Sequence, residues 1–197
     1  MRLDKLRQWG GPTAIVGGMI WCLFWLYYTA AGVELYPSRM GLLALPAFSA
    51  AFLALGLVAL YGGAETKLGA VGKVGVLLAA GGTTVFALGA LIAASVWPTA
   101  YGLAILGEFA TTLGLLVFAV ANLGDQVLSR WNALPLLLAL VYPPSWMPDP
   151  GSLPPALRIM PDLLAALYGL GWVLLGYRLW LDFDRVGLSA ASSRPEC

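Results

Sequence analysis

Glu108 is the residue whose position most invites chemistry, because it is a carboxylic acid inside a long apolar run that covers residues 100–121. The run is long enough to cross a bilayer as a helix. An ionisable side chain in hydrocarbon is costly and marks a functional-site hypothesis. It can be neutral and donate a hydrogen bond, or it can be charged. No other apolar run of the sequence carries an ionisable group so deep inside.

Hydroxyl groups share the helical face of Glu108. Tyr101 precedes it by seven residues, and Thr111 and Thr112 follow it by three and four. Arg39 and Arg158 are possible cationic partners, since long basic side chains reach along apolar surface. Three interpretations of Glu108 stay open: a structural carboxyl between helices, the polar wall of an outward-open ligand cavity, and a proton-transferring acid.

Aromatic and hydroxyl side chains of other apolar runs extend this picture to a ligand cavity. A bundle interior with large rings and a few hydroxyls suits an apolar ligand that has one polar end. The alternative is that such rings form the core or face lipid. The predicted cavity comprises Glu108, Tyr101, Thr111, Thr112, Trp25, Tyr28, Thr83 and Thr84.

Several kinds of chemistry are excluded by what the sequence lacks. It has no histidine, which removes the commonest general base and the commonest zinc ligand. The two cysteines, Cys22 and Cys197, show no metal-binding spacing. Phosphate-binding loops, GxSxG and CxxC are absent, and a net charge of +1 argues against nucleic acid. We therefore expect no enzyme activity, no catalytic residue, no cofactor and no metal.

The composition defines the class of protein that must position these residues. Of the 197 residues, 60% are hydrophobic and 11% are charged, with a mean hydropathy of +0.82. Soluble domains carry about 25% charged residues, so this chain is predicted to be embedded in a membrane. We expect a single domain over residues 1–181, followed by a polar, mobile cytoplasmic tail over residues 182–197.

The apolar runs predict an all-α bundle of six transmembrane helices, and three helical hairpins are one arrangement compatible with it. The fifth run is the shortest, with fourteen residues where a vertical span needs about 20. It must therefore begin earlier or continue through a kink. The predicted spans are residues 13–31, 40–61, 74–96, 100–121, 131–144 and 159–180.

The distribution of basic residues predicts the orientation of these six spans. Cytoplasmic loops are enriched in Lys and Arg. Nine fall on one side and two on the other, so both termini are expected in the cytoplasm, in a multi-pass protein of the cell membrane. The nine are Arg2, Lys5, Arg7, Lys67, Lys73, Arg130, Arg178, Arg185 and Arg194; the two are Arg39 and Arg158.

Small residues predict how the third and fourth helices pack. Gly75, Gly82 and Gly89 repeat every seven residues in the third helix, and Gly107 and Gly114 have matching spacing in the fourth. Such stripes let helix backbones approach closely in lipid. The contact is expected within one chain, with a homo-oligomer contact as the alternative.

Three segments carry a resemblance to known proteins. Residues 7–21, 127–138 and 169–180 resemble small, uncharacterised polytopic membrane proteins of bacteria, which implies no particular activity. Six helices with both ends inside, together with Leu35-Tyr36-Pro37 after the first helix, also resemble the Insig lipid-sensing proteins. That resemblance implies a lipid cavity between the helices.

Together these observations predict a non-catalytic membrane protein that binds an apolar or lipid-like molecule, or a partner membrane protein. Membrane lipids and a second copy of the chain are the other expected partners. Two alternatives remain: a small transporter or channel-like protein, and an intramembrane enzyme that uses Glu108 as an acid.

Overall fold

The computed structural model describes residues 3–31, 41–64, 68–125, 133–142, 154, 157 and 159–192. Within these residues the chain is helical and contains no strand, which confirms the predicted all-helical class. The helices are α1 (Leu3–Ala31), α2 (Ala44–Ala64), α3 (Ala70–Ser95), α4 (Tyr101–Asp125), α5 (Leu134–Val141) and α6 (Met160–Ser192).

Five of these helices are long and apolar enough to cross a membrane, which confirms the membrane class. Of the predicted fifth span, 131–144, the structure describes residues 133–142, which form a helix over Leu134–Val141 with Pro135 in its first turn. Eight residues rise about 12 Å, well short of the hydrocarbon thickness. The described residues thus contain five spanning helices where six were predicted. Residues 126–132 and 143–153, which flank α5, lie outside the described part of the chain.

Local sequence explains where α3 ends and α4 begins. The backbone N–H groups of Val96 and Trp97 both donate to the Ile92 carbonyl, at 2.9 and 3.0 Å, which closes the last turn of α3. Pro98 has no N–H with which to continue the helix. A single 3₁₀ turn, Pro98–Ala100, leads directly into α4. The two helices therefore return on one another with almost no connecting chain.

The helices form a closed ring. Each packs against its neighbour in chain order, and α6 completes the ring by packing against α1. Gly11 of α1 lies against Gly176 of α6, and Gly18 lies against Gly169, so these two helices run antiparallel. The start of α1 and the later part of α6 therefore lie at the same end of the bundle, which we call the terminal end. The opposite end, where α1 ends and α4 begins, is the far end.

Helix α6 continues beyond the predicted span. It remains helical to Ser192, through most of the segment predicted as a tail. Residues 193–197 lie outside the described part of the chain.

The predicted glycine stripe lies at the contact between α3 and α4. A Cβ placed on Gly75 would lie 2.5 Å from the backbone nitrogen of Phe118, and one on Gly89 would lie 2.5 Å from that of Ala104. Gly82 and Gly107 lie against each other's backbone, and Gly114 lies against Ala79 and Gly75. The two backbones are in contact where real Cβ atoms would collide.

A second set of glycines, which the sequence interpretation missed, packs α1 against two neighbours. Gly10-Gly11 and Gly17-Gly18 are doublets seven residues apart. The first member of each doublet faces α2, with Gly10 against Ala59 and Gly17 against the Ser49 carbonyl. The second member of each faces α6. Successive residues differ by about 100° around a helix, so each doublet serves two interfaces.

Candidate functional site

A cluster of aromatic rings occupies the centre of the ring of helices. Trp21 of α1 lies 5.5 Å from Phe86 of α3, 5.8 Å from Tyr168 of α6 and 6.0 Å from Tyr142 at the end of α5, measured between ring centroids. Tyr142 and Tyr168 stack at 4.2 Å with an interplanar angle of 13°. We call Trp21, Phe86, Tyr142, Tyr168 and Trp172 the central aromatic cluster.

Glu108 lies beside this cluster. The Tyr142 hydroxyl donates a hydrogen bond to its carboxyl group. The carboxyl also interacts electrostatically with the hydroxyls of Tyr101 and Tyr168. The side chain of Glu108 is half-buried. Tyr101 of α4, Tyr168 of α6 and Tyr142, which directly follows α5, thus all interact with one carboxyl group.

Four half-buried residues at the far end form a patch between α1 and α4. Tyr101 interacts electrostatically with both Glu108 and Tyr28, which joins the two helices across the ring. Trp25 lies 5.4 Å from Tyr28 in an edge-to-face arrangement. We call Trp25, Tyr28, Tyr101 and Glu108 the far-end patch. These are half of the eight residues of the predicted cavity, and the structure brings them together.

The four predicted threonines lie elsewhere. Thr83 and Thr111 are buried between α3 and α4, with their hydroxyl oxygens 3.2 Å apart. Each also donates to its own helix, to the carbonyls of Ala79 and Gly107. Thr84 is exposed on the outside of the bundle and donates to the Ala80 carbonyl. The hydroxyl of Thr112 is buried and has no hydrogen-bond partner among the described residues.

Three indole N–H groups are buried without a hydrogen-bond acceptor in the described part of the chain. They belong to Trp21, Trp25 and Trp172. The Trp172 nitrogen faces the Tyr168 hydroxyl, but the geometry falls short of a hydrogen bond. Buried indole N–H groups usually have a hydrogen-bond partner. These three are therefore hydrogen-bond donors for a ligand that carries an acceptor.

The sequence interpretation did not find Phe86, Tyr142 and Tyr168. Tyr142 ends the helix whose extent was least certain, and Phe86 lies in a helix otherwise rich in small residues. A signal was available for Tyr168, because it precedes Trp172 by four residues and therefore shares its helix face.

The described residues define an all-helical membrane protein whose interior carries one carboxyl group among aromatic rings. They hold no group of three or more Cys, Asp or Glu side chains that could bind a metal. Comparison with protein-family models, curated proteins and solved structures finds no match to the chain. The residues behind the Insig resemblance, Leu35 to Pro37, and the possible cations Arg39 and Arg158 lie outside the described part.

Proposed function

We propose that this protein is a multi-pass protein of the cell membrane that binds an apolar or lipid-like molecule at the far-end patch. The observation that carries the proposal is the position of Glu108, which is half-buried and hydrogen-bonded to Tyr142 beside the rings of α1 and α4. Ligand sites are typically lined by apolar and aromatic side chains with a few polar groups that fix orientation.

The end of α5 lies at the depth of Glu108 in the bundle, which supports a polar anchor for a ligand at this level. Helix α5 packs between α4 and α6, and its last helical residue, Val141, directly precedes the tyrosine that contacts Glu108. Glu108 lies seven residues from the start of α4, which is roughly 10 Å below the far end at 1.5 Å per residue. The described part of α5 therefore covers the ring wall up to the level of Glu108.

The proposed topology has six crossings with both termini in the cytoplasm. The antiparallel contact of α1 with α6 supports an even number, because it puts the two chain ends at one end of the bundle. Helices α1 and α3 both begin at the terminal end, and α6 and α4 pack antiparallel to them. Helix α4 therefore ends at the terminal end and α6 begins at the far end, so we infer that the chain between them crosses the bundle once. The excess of Lys and Arg on the terminal side supports its cytoplasmic location, with the far-end patch toward the outside.

A binding role is favoured over catalysis because the groups that interact with Glu108 in the described part of the chain are tyrosine hydroxyls. A single carboxyl group without a partner of matched pKa is a poor acid–base pair. The same groups suit recognition, since they can fix the polar end of an apolar molecule.

Native mass spectrometry of the protein released from mild detergent tests this proposal. We expect the wild-type protein to carry a bound amphipathic molecule, and Glu108→Gln and Trp25→Leu to lose at least half of it. Thr84→Val is the matched control, because Thr84 lies on the outside of the same bundle, and it should retain the ligand. A wild-type protein without any adduct, or an adduct equally present in all variants, would contradict the proposal. A co-purified protein in place of a small molecule would contradict the proposed ligand and indicate that the chain binds a partner membrane protein.

A further inference from the structure

The charge environment of Glu108 restricts the class of ligand. The basic side chains that the structure describes are Lys73, in the first turn of α3, and Arg178, in the later part of α6. Both lie toward the terminal end, whereas Glu108 lies near the far end. Among the described residues, the neighbours of the carboxyl group are therefore tyrosine hydroxyls, which carry no positive charge.

The aromatic rings around the carboxyl group favour a cation. Tyr101 and Tyr168 both interact with it, Tyr101 also interacts with Tyr28, and Trp25 lies 5.4 Å from Tyr28. The face of an aromatic ring attracts a cation with about 0.5–1 kcal/mol at exposed sites and about 2 kcal/mol or more when desolvated. Several rings and one carboxylate together provide charge compensation without requiring hydration of the ligand.

The unpartnered indole N–H groups favour a different ligand, one with an acceptor oxygen. Leaving one such donor unpaired costs about 1–3 kcal/mol. A charged carboxylate in an apolar environment costs considerably more, because a hydrogen bond from a neutral hydroxyl such as that of Tyr142 compensates only part of its desolvation. The carboxyl group therefore dominates the choice of ligand.

Resting on the proposed function, we propose that the molecule bound at the far-end patch is a lipophilic organic cation. Its charge pairs with the Glu108 carboxylate, which Tyr142 holds in place by a hydrogen bond. Its apolar substituents contact the rings of Trp25, Tyr28 and Tyr101. A lipid-like neutral molecule with a carbonyl end is the competing ligand and forms an arm of the test.

Binding of two probes of equal shape and opposite charge tests the inference. Tetraphenylphosphonium and tetraphenylborate are titrated into the full-length protein in mild detergent, with tryptophan fluorescence as the readout and calorimetry as confirmation. We expect the cation to bind at least about tenfold more tightly than the anion, which corresponds to about 1.4 kcal/mol. Glu108→Gln should weaken binding of the cation by about tenfold or more.

Asp162 supplies the matched control. It is an acid in the first turn of α6 that accepts a hydrogen bond from Thr29, at 3.2 Å, and it lies outside the far-end patch. Asp162→Asn should change the affinity for the cation by less than about twofold. Trp25→Leu, which leaves the carboxyl group intact, should weaken the cation by several-fold through loss of a ring.

Equal binding of the two probes, or unchanged cation binding in a folded Glu108→Gln protein, would overturn the inference. A monodisperse elution profile and an unchanged melting temperature establish that each variant is folded. Should Glu108→Gln not fold, the Trp25→Leu result and the cation-to-anion ratio of the wild type decide. A neutral long-chain ketone is the third probe. If it alone binds, and Trp25→Leu weakens it, the cation is rejected while the proposed function stands; if no probe binds and no native ligand is found, both fail.

Discussion

The α3/α4 contact and the central aromatic cluster are built in opposite ways. Between α3 and α4, glycines remove side chains from the interface and the two backbones touch. In the central aromatic cluster, large rings meet, and the indole N–H groups of Trp21 and Trp172 have no acceptor among the described residues. In the α3/α4 contact, the hydroxyls of Thr83 and Thr111 donate to carbonyls of their own helices. The indole N–H groups of the aromatic cluster have no such bond among the described residues. Close packing of backbones serves stability. We expect binding at the far-end patch, which adjoins the central aromatic cluster through the contact of Trp25 with Trp21.

Gly82→Ala should have the largest effect on this comparison. The new Cβ would collide with the backbone nitrogen of Thr111 and lie 2.7 Å from the Gly107 carbonyl oxygen, and neither backbone atom can move without shifting a helix. We expect a loss of stability above the about 1–3 kcal/mol typical of overpacking, measured as a fall in melting temperature in detergent. Gly81→Ala is the control, since no atom lies within 4 Å of its added Cβ. Equal melting temperatures for the two variants would show that α3 and α4 are not in backbone contact.

Gly18→Ala should have the next largest effect. Its Cβ would lie 2.5 Å from the Gly169 carbonyl oxygen and 2.8 Å from the Val173 nitrogen, so it would push α6 away from α1. We expect destabilisation of about 1–3 kcal/mol, from thermal unfolding. Gly17→Ala is the comparison on the α2 side, where the added Cβ would lie 2.9 Å from both Leu53 Cδ2 and the Ser49 carbonyl oxygen. These distances are longer than those at Gly18, so we expect a smaller loss. A larger loss of stability for Gly17→Ala would show that α1 packs more tightly against α2 than against α6.

Tyr142→Phe should have a moderate effect on the aromatic side of the comparison. The ring and its stacking on Tyr168 are kept, but the hydrogen bond to Glu108 is lost. Hydrogen bonds within membrane bundles contribute about 0.6 kcal/mol on average, so we expect a small fall in melting temperature. Binding of tetraphenylphosphonium should weaken more than stability does, because the carboxyl group loses its orientation. Tyr177→Phe, at an exposed tyrosine of α6, is the control. Unchanged binding would show that Tyr142 does not position Glu108.

Thr83→Val and Thr111→Val should have the smallest effects. The two hydroxyls are 3.2 Å apart, but each already donates to a carbonyl of its own helix. A hydroxyl has one proton to donate, so when both protons are used within the helices the pair gains little. We expect a coupling energy below about 0.6 kcal/mol in a double-mutant cycle on thermal stability. A coupling above that value would show that the pair itself holds α3 against α4.

Much of the fold followed from local features of the sequence. Five of the six predicted apolar runs are long helices, and the period of Gly75, Gly82 and Gly89 identified the face that meets α4. Pro98 follows directly after the last turn of α3. These inferences were possible because length, proline and small-residue spacing act within one helix or between adjacent ones. The glycine doublets of α1 were equally visible in the sequence but were not interpreted. Their role depends on two neighbouring helices, α2 and α6, which the sequence pattern of α1 does not identify.

The site was less predictable. Glu108, Tyr101, Trp25 and Tyr28 were named from composition and face, and they lie together. Thr84 lies outside the bundle, and Thr83 and Thr111 belong to the α3/α4 contact. The local sequence around a threonine in an apolar helix is the same whether its hydroxyl faces the bundle interior, a neighbouring helix or lipid. Only the rotation of the helix in the bundle distinguishes these positions.

The sequence by itself determined that the protein is helical and embedded in a membrane, because hydrophobicity and helix length are properties of single segments. It also determined that one carboxyl group lies inside an apolar span. The tertiary structure alone decided that α6 closes the ring against α1, and that Tyr142 reaches Glu108 from α5. Both depend on contacts between residues far apart in the chain, whose geometry is set by how the helices pack together.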